Sequence, residues 1–161
     1  MNSSERPRQP VRDDEGPGAE PGSPKPAGGA RDLEFDHVAI AVDAFEEILP
    51  LLERLGRASA TRPRTVESQG VEVRFVGGVE IIRPLADDNG VARFIERRGP
   101  GLHHIAYRVP DVAKLMDELT EEGYAFTSDA PMTGAGGHRI AFLHPRSAAG
   151  VLVELVERER P

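Results

Sequence analysis

His37-Val-Ala-Ile-Ala-Val42 recurs 67 residues later as His104-Ile-Ala-Tyr-Arg-Val109. The two halves of the chain align without a gap from these stretches to Gly70 and Gly137. The matched pairs include Ala39 with Ala106, Val42 with Val109, Leu52 with Leu119, Gly56 with Gly123 and, just beyond the glycines, Phe75 with Phe142. Similarity at one fixed spacing indicates a duplicated structural unit.

Each copy also carries one glutamate at a matching place. The second copy has seven extra residues after Phe142, and with these allowed for, Glu80 aligns with Glu154. Both lie inside apolar strands, where a buried carboxylate is costly unless it is paired or ligated. Strand alternation equally allows each glutamate to face solvent, but the matched positions favour a common cause. We therefore expect a metal site in which the two halves contribute His37, Glu80, His104 and Glu154.

The first 31 residues predict a disordered tail. They contain six Pro, five Gly, no aromatic residue and Val11 as the only branched aliphatic, so they cannot bury enough apolar surface to offset the entropy of ordering. Residues 32–161 are then one domain made of two modules, about 34–90 and 101–157. The tail lacks the apolar core of a signal peptide, and its five acidic residues argue against a mitochondrial transit peptide, so the cytoplasm is the expected location.

The composition excludes several classes of site. The chain has no Cys, which removes disulfides, thiolate zinc sites and thiol nucleophiles, and leaves nitrogen and oxygen as metal ligands. No apolar run approaches the length of a membrane span. The charges of the tail cancel, so the formal net charge of -7 belongs to the remaining 130 residues. Neither a nucleic acid nor a membrane is expected as a partner.

Hydrophobic periodicity predicts the same order of elements in both halves. Strands are expected at residues 37–42, 71–76 and 79–85 and again at 104–109, 139–144 and 151–156. A helix follows the first strand of each half, and a further, weakly marked strand at 57–66 or 124–129 completes a βαβββ module. A short helix at 91–98 joins the copies. The fold class is therefore α+β, with two tandem modules forming a curved mixed sheet around the metal site.

The helix ends carry local signals. Asp43 and Glu46 have the spacing of a capping box, and Pro50 is expected to kink the first helix or delay its start. Asp111 is expected to cap the corresponding helix of the second half.

Further polar residues are candidates for the site or for contact with a substrate. His103 precedes His104 on the opposite face of the strand, and the repeat selects His104 as the ligand. A Gly-rich segment, Gly134-Ala-Gly-Gly-His-Arg139, exposes backbone N–H groups that suit an anion, although a simple flexible hairpin is an equal alternative. Candidate substrate contacts in and after this segment are Gly136, Gly137, Arg139, His144 and Arg146, and His138 is a further candidate.

Several motifs together resemble a known group of proteins. The paired modules with His and Glu ligands resemble the vicinal oxygen chelate superfamily, which includes glyoxalase I, extradiol dioxygenases and antibiotic-resistance proteins. Within it, the methylmalonyl-CoA epimerase family is the best match, over about residues 34–157. The segments that carry this resemblance are Asp36-His-Val-Ala-Ile-Ala-Val42, Gly101-Leu-His-His-Ile-Ala-Tyr107, the run from Gly134 through Phe142-Leu-His-Pro-Arg-Ser147, and Gly150-Val-Leu-Val-Glu-Leu155.

Carried over position by position, the resemblance implies the same four metal ligands that the repeat selects. Some epimerases have Gln in place of Glu80, and they carry a second catalytic base in the strand after Gln-Gly-Val. In Gln69-Gly-Val-Glu-Val73 of this chain, Val73 occupies that place and Glu72 comes one residue earlier, on the other face. The second base is therefore open between Glu80, Glu72 and another group.

The resemblance also implies an activity, which is the interconversion of (2R)- and (2S)-methylmalonyl-CoA through a metal-stabilised enolate. Glu154 would act on one face of the substrate and Glu80 on the other. The implied cofactor is a divalent metal ion, with cobalt favoured over manganese, nickel or zinc, and the implied partners are an acyl-CoA substrate, held near Arg139 or Arg146, and a second copy in a homodimer. The alternatives are a glyoxalase-I-type lyase and a metal-independent protein that sequesters a drug or another small molecule.

Overall fold

The computed structural model describes residues 34–158. The tail predicted at residues 1–31 lies outside the described residues. The strands are Glu34–Ala41 (β1), Arg64–Val66 (β2), Val71–Val76 (β3), Val79–Pro84 (β4), Gly101–Val109 (β5), Met132–Thr133 (β6), Arg139–Leu143 (β7) and Val153–Glu157 (β8). The α-helices are Leu49–Gly56 (α1), Gly90–Arg98 (α2) and Val112–Glu121 (α3), and short 3-10 turns lie at Phe45–Glu47, Glu67–Gln69, Ala135–Gly137 and Pro145–Ser147. Within this part of the chain, every helix is too short or too polar to cross a membrane.

The strands of the described region form one eight-stranded mixed sheet in the order β2-β3-β4-β1-β5-β8-β7-β6. Read outward from the centre, the two halves of the sheet have equivalent strand orders, β1-β4-β3-β2 and β5-β8-β7-β6. In each half the first strand lies parallel to its neighbour, β1 to β4 and β5 to β8, while β1 and β5 are antiparallel to each other. Two βαβββ modules therefore meet at the β1–β5 pair. This arrangement confirms the predicted α+β class and the tandem modules.

The hydrophobic core repeats with the sequence. Helix α1 and helix α3 cover matching clusters on one face of the sheet, and the residues of the two clusters occupy equivalent positions of the repeat. The first cluster includes Val42, Phe45, Leu49, Val76 and Ile81, and the second includes Val109, Val112, Met116, Leu143 and Leu155. Burying each of these side chains contributes about 1.5–3 kcal/mol, so both helices are held against the sheet and its opposite face is left for a cavity.

Two local predictions differ from the structure. The extra strand of the second module lies at Met132–Thr133, beyond the predicted range, and Phe126 makes only an isolated bridge with Leu143. The capping box predicted at Asp43 is wrong by one residue, because the backbone N–H of Ala44 donates to Glu47 Oε1 at 2.7 Å.

The remaining helix signals are confirmed. Helix α1 begins only at Leu49, with Pro50 in its first turn, where the missing proline N–H costs nothing. Asp111 caps α3 by accepting a hydrogen bond from the backbone N–H of Lys114 at 3.0 Å.

Candidate metal centre and active site

The two histidines of the repeat meet at the centre of the sheet. In the antiparallel register of β1 and β5, His37 lies opposite Ala106 and His104 lies opposite Ala39. Both alanines are fully buried, and their small side chains leave room for the rings. The Nε2 atoms of His37 and His104 are 3.2 Å apart.

The two glutamates reach the same point from the flanking strands. Glu80 on β4 lies beside Ala39, and Glu154 on β8 lies beside Ala106. Glu154 Oε2 is 3.2 Å from the Nε2 atom of each histidine. Glu80 Oε2 is 3.4 Å from Nε2 of His37 and 3.7 Å from Nε2 of His104. All four side chains are buried, so the structure brings together the four residues that the repeat selected.

The donor atoms have the spacing of ligands to one cation. Two atoms bound about 2.1 Å from the same ion are about 3.0–3.4 Å apart at octahedral or tetrahedral angles, close to the distances here. His37, Glu80 and His104 offer donor atoms that all lie within 4.8 Å of one another. Glu154 Oε2 is buried, and although it lies 3.2 Å from both imidazoles it makes no hydrogen bond of good geometry, which is costly for such an atom. A cation would satisfy this oxygen, so the residues fit a divalent metal ion.

The cluster is strongly coupled electrostatically. Burial alone would lower the pKa of His37, but Glu154, Glu80 and Asp36 raise it to about 10. Burial opposes the ionisation of Glu154, but the imidazoles of His104 and His37 lower its pKa below the ordinary value. The buried carboxylates therefore favour a positive charge beside them at His37.

Asp36 contacts the ring nitrogen of His37 that faces away from the cluster, a role that the sequence did not predict. Asp36 Oδ1 accepts a hydrogen bond from His37 Nδ1 at 2.7 Å. The guanidinium of Arg158 donates to both oxygens of Asp36, at 2.6 and 2.7 Å, and Arg108 adds contacts at 3.3 Å. Burial opposes the ionisation of Asp36, but the hydrogen bonds from Arg158 and His37 hold its pKa well below the usual range. A carboxylate in this position fixes the ring so that Nε2 faces the cluster.

His103 contacts the ring nitrogen of His104 that faces away from the cluster. Its side chain is half-buried and lies outside the lining of the cavity. The alternation expected between the two histidines is interrupted, because the pairing of β5 is irregular between the partners of Ala39 and Ile40, and Nδ1 of His103 is 2.9 Å from Nδ1 of His104. The His103 ring also packs edge-to-face against Phe94 of α2, with centroids 4.9 Å apart. Burial and the charge of His104 lower the pKa of His103 to about 4.

The cavity above the cluster has apolar walls that follow the repeat. Phe75 and Phe142 pack edge-to-face against His37 and His104, with centroids 5.6 and 5.3 Å apart. The further lining residues are Val66, Gln69, Val71, Val73, Ile82, Ala135, Ile140, Val156 and Arg158. Among the residues that the structure describes, Glu80 and Glu154 are the only carboxylates in this lining.

The alternation expected for the strand after Gln69 is confirmed. Val73 is buried and faces the cavity. Glu72 faces the other way and forms an ion pair with Arg83 at 2.7 Å. Glu72 is therefore not placed to reach a molecule in the cavity.

Three of the candidate substrate contacts lie outside the cavity that holds the four buried side chains, namely Arg139, His144 and Arg146. Arg139 is exposed and pairs with Glu157 at 3.3 Å, on the face that Ala141 and Leu143 share with α3. Arg146 is exposed, and the half-buried His144 accepts a hydrogen bond from the Arg146 backbone N–H at 3.1 Å.

The Gly-rich turn itself lies at the rim. Gly136 and Gly137 adopt positive φ angles, and they line a groove together with Arg64, Ser68 and Thr133. Ser68 Oγ donates to the Thr133 carbonyl at 2.6 Å, which ties this turn to the matching turn of the first module. Arg64 was not selected from the sequence, because nothing in its local pattern marks it.

The fold is that of a known protein superfamily. Residues 36–142 match the model of the Glyoxalase/Bleomycin resistance protein/Dioxygenase superfamily, and the chain belongs to that superfamily.

The similar proteins include two bacterial relatives and a solved enzyme. The chain is 37% identical to the Bacillus subtilis protein YqjC over 127 residues, which are 76% of this chain and 91% of that protein. It is 35% identical to the ethylmalonyl-CoA/methylmalonyl-CoA epimerase of Cereibacter sphaeroides, over 75% of this chain and 95% of the enzyme. It also matches the structure of a methylmalonyl-CoA epimerase from Streptomyces coelicolor in complex with 2-nitronate-propionyl-CoA, with a TM-score of 0.73, 28% identity, and coverage of 80% of this chain and 99% of the enzyme.

The raised pKa of His37 predicts how the stability of the metal-free protein depends on pH. Because the pKa rises from 6.5 to about 10, the stabilisation from protonated His37 is fully present below pH 6.5 and is lost as the pH rises through about 10. Urea unfolding with a chelator present, for the wild type and for His37→Asn, measures it. We expect the difference in unfolding free energy between the two to shrink steadily over this interval.

The exposed substitution Leu55→Gln corrects for pH effects unrelated to the cavity, since Leu55 lies on α1 and is 71% exposed. A difference between wild type and His37→Asn that stays constant from pH 6.5 to pH 10 would contradict the assigned coupling.

Proposed function

We propose that this protein is a metal-dependent epimerase that interconverts (2R)- and (2S)-methylmalonyl-CoA. The observation that carries the proposal is the pairing of two carboxylates, Glu80 and Glu154, around two imidazoles in a cavity whose other walls are mostly apolar. Inversion of a carbon centre through a planar intermediate needs a proton-transfer group on each face. Two glutamates on opposite halves of a pseudo-twofold site meet this requirement.

The proposed ligands of the ion are His37, Glu80, His104 and Glu154. A divalent cation held by them would act as a Lewis acid that stabilises negative charge on the substrate's oxygens. Cobalt is the proposed native ion, although imidazole and carboxylate ligands also suit manganese, nickel and zinc.

In this proposal, glutamates of the chain carry out both proton transfers. One carboxylate removes the proton from the carbon between the thioester and the carboxylate, and the electron pair of the C–H bond moves into the enolate. The group on the opposite face starts as the protonated carboxylic acid and gives its proton to the same carbon, so one turnover moves the protonated state from one glutamate to the other. We assign Glu154 to one face and Glu80 to the other, because Glu72 is bound to Arg83 and Val73 has no ionisable group. The apolar walls exclude water, which strengthens the electrostatic stabilisation of the enolate.

Two similar proteins support the substrate class. The Cereibacter sphaeroides relative is an ethylmalonyl-CoA/methylmalonyl-CoA epimerase, and the Streptomyces coelicolor enzyme was solved with 2-nitronate-propionyl-CoA. A nitronate is a planar anion that resembles an enolate in shape and charge, so the latter complex mimics the proposed intermediate.

The CoA arm is proposed to leave the cavity by the rim groove beside Arg64 and Gly136. The Arg64 guanidinium lies near this glycine, since its Nη1 atom is 3.5 Å from the point where a Cβ would stand at Gly136. The homodimer also stays part of the proposal. Its support is apolar exposure on the central strand pair, where Phe35 is 53% exposed and Leu102 is 72% exposed.

The metal site predicts stoichiometric binding. Chelator-treated protein titrated with Co²⁺ should bind one ion per chain. The variant His104→Gln should bind it at least about 100-fold more weakly, because a direct ligand matters more than an outer-shell partner worth about 10–100-fold. A competition titration with a chromogenic chelator measures both.

The matched control is His144→Gln, since His144 lies outside the cavity. Equal affinity of His104→Gln and wild type, or binding well below one ion per chain in the wild type, would overturn the metal site.

The two-carboxylate assignment predicts one-sided proton exchange. In Glu80→Gln, which keeps an oxygen ligand but loses a base, one epimer of methylmalonyl-CoA should still exchange its C2 proton with D₂O while inversion falls by about 10²–10⁴-fold. Glu154→Gln should show the same defect with the other epimer. Mass spectrometry with chiral analysis of the products measures exchange and inversion separately.

The control here is Glu72→Gln, which changes a carboxylate outside the cavity and should leave both rates unchanged. Unchanged inversion in both Glu80→Gln and Glu154→Gln would reject the mechanism.

The groove predicts a charge contact with the CoA arm. Arg64→Gln should raise KM for methylmalonyl-CoA about 10-fold with little change in kcat, since one charge-assisted hydrogen bond contributes roughly 1.5 kcal/mol. Arg139→Gln is the matched control, because Arg139 lies on the helix-covered face and pairs with Glu157. A rise in KM for Arg139→Gln and none for Arg64→Gln would return the phosphate contact to the residue that the sequence favoured.

A further inference from the structure

Different residue types contact the Nδ1 atoms of His37 and His104 in the two copies of the repeat. Asp36 precedes His37 and His103 precedes His104, and these two preceding residues are themselves 67 positions apart. Asp36 lies 2.7 Å from Nδ1 of His37, and His103 lies 2.9 Å from Nδ1 of His104. The duplication has therefore kept a contact to the outer nitrogen of each ring while the chemistry of the contacting group has changed.

We propose that His103 is a positioning residue, which accepts a hydrogen bond from Nδ1–H of His104 and so directs the Nε2 lone pair of His104 at the metal ion. The inference rests on the metal site of the proposed function. It gives a role to a histidine outside the cavity lining that strand alternation alone sets aside.

The positions of the hydrogens on the two rings support donation from His104 to His103. Two ring nitrogens at 2.9 Å need one hydrogen between them, because two lone pairs or two N–H groups facing each other would repel. Nε2 of His104 lies 3.2 Å from Glu154 Oε2 and from Nε2 of His37, so it is the nitrogen on the ligand side. When Nε2 gives its lone pair to a cation, the hydrogen of the neutral ring is on Nδ1. His103 Nδ1 is then the acceptor, and His103 is neutral with its hydrogen on Nε2.

The surroundings of His103 hold it in this geometry. The ring lies edge-to-face with Phe94 of α2 and at 72° to the ring of His104. Phe94 in turn packs against the buried cluster that contains Ala39 and Ala41 of β1. The helix that joins the two modules therefore braces the second histidine, whereas the first is braced by Asp36 and its arginines.

A pair of substitutions of equal size separates hydrogen bonding from packing. In His103→Asn the amide oxygen replaces Nδ1 as an acceptor, and in His103→Leu a methyl group of similar position accepts nothing. We expect His103→Leu to raise the dissociation constant for Co²⁺ about 10–100-fold and His103→Asn to stay within about threefold of wild type. Competition with a chromogenic chelator measures the constants.

A second readout follows the hydrogen bond itself. In the zinc-loaded, ¹⁵N-labelled protein, the Nδ1 proton of His104 should give a downfield resonance that exchanges slowly with solvent. It should persist in His103→Asn and vanish in His103→Leu. If His103→Leu is too unstable to study, His103→Phe keeps a ring against Phe94 and removes the acceptor, with the same expected result.

The outcomes distinguish this inference from the proposed function. If wild-type protein fails to bind one ion per chain, the metal site itself is wrong. If wild type binds the ion and His103→Leu binds it equally well, with the protected Nδ1 proton unchanged, only the role of His103 is overturned. Equal weakening in His103→Asn and His103→Leu would also overturn it, since packing rather than the acceptor would then be the cause.

Discussion

The antiparallel pairing of β1 with β5 is the constraint on which the site depends. Its register sets His37 opposite Ala106 and His104 opposite Ala39, and this alone brings the two Nε2 atoms to 3.2 Å. A slip of one residue in either strand would turn that strand's histidine to the other face of the sheet and so separate the two rings. The two alanines are as necessary as the histidines, because a larger side chain opposite either ring would occupy the ring's space.

The charges of the cluster explain why two carboxylates are present. Moving an ion into an apolar cavity costs several kcal/mol unless opposite charges accompany it. Two carboxylates balance two positive charges, whether a divalent cation or protons on imidazole carry them.

The repeat made most of the fold and the centre of the site predictable, because equal residues at a constant spacing fix both the order of strands and the face of each ligand. Alternation along β3 likewise separated Glu72 from Val73. The support of Asp36 by Arg158 could not be found in this way, since these residues are 122 positions apart and neither has a counterpart of like chemistry in the other half. Arg139 was selected for its proximity to a Gly-rich turn in sequence, whereas its alternation with Ala141 places it on the helix-covered face.

The departures from symmetry are as informative as the repeat itself. Arg158 occupies the position that matches Pro84 in the first module, and His138 matches Val71. The Nη1 atom of Arg158 lies 3.4 Å from Nε2 of His138, whereas Pro84 and Val71 at the matching positions carry no nitrogen in their side chains that could make such a contact. A symmetric cluster can act on both faces of a planar carbon, but it cannot tell one substituent of that carbon from another. The proposed substrate bears a carboxylate on one side and a thioester on the other, and only an unequal rim gives it a single orientation. For the proposed epimerase, the duplicated glutamates supply a group on each face of the carbon, and the differences between the halves supply the unequal rim.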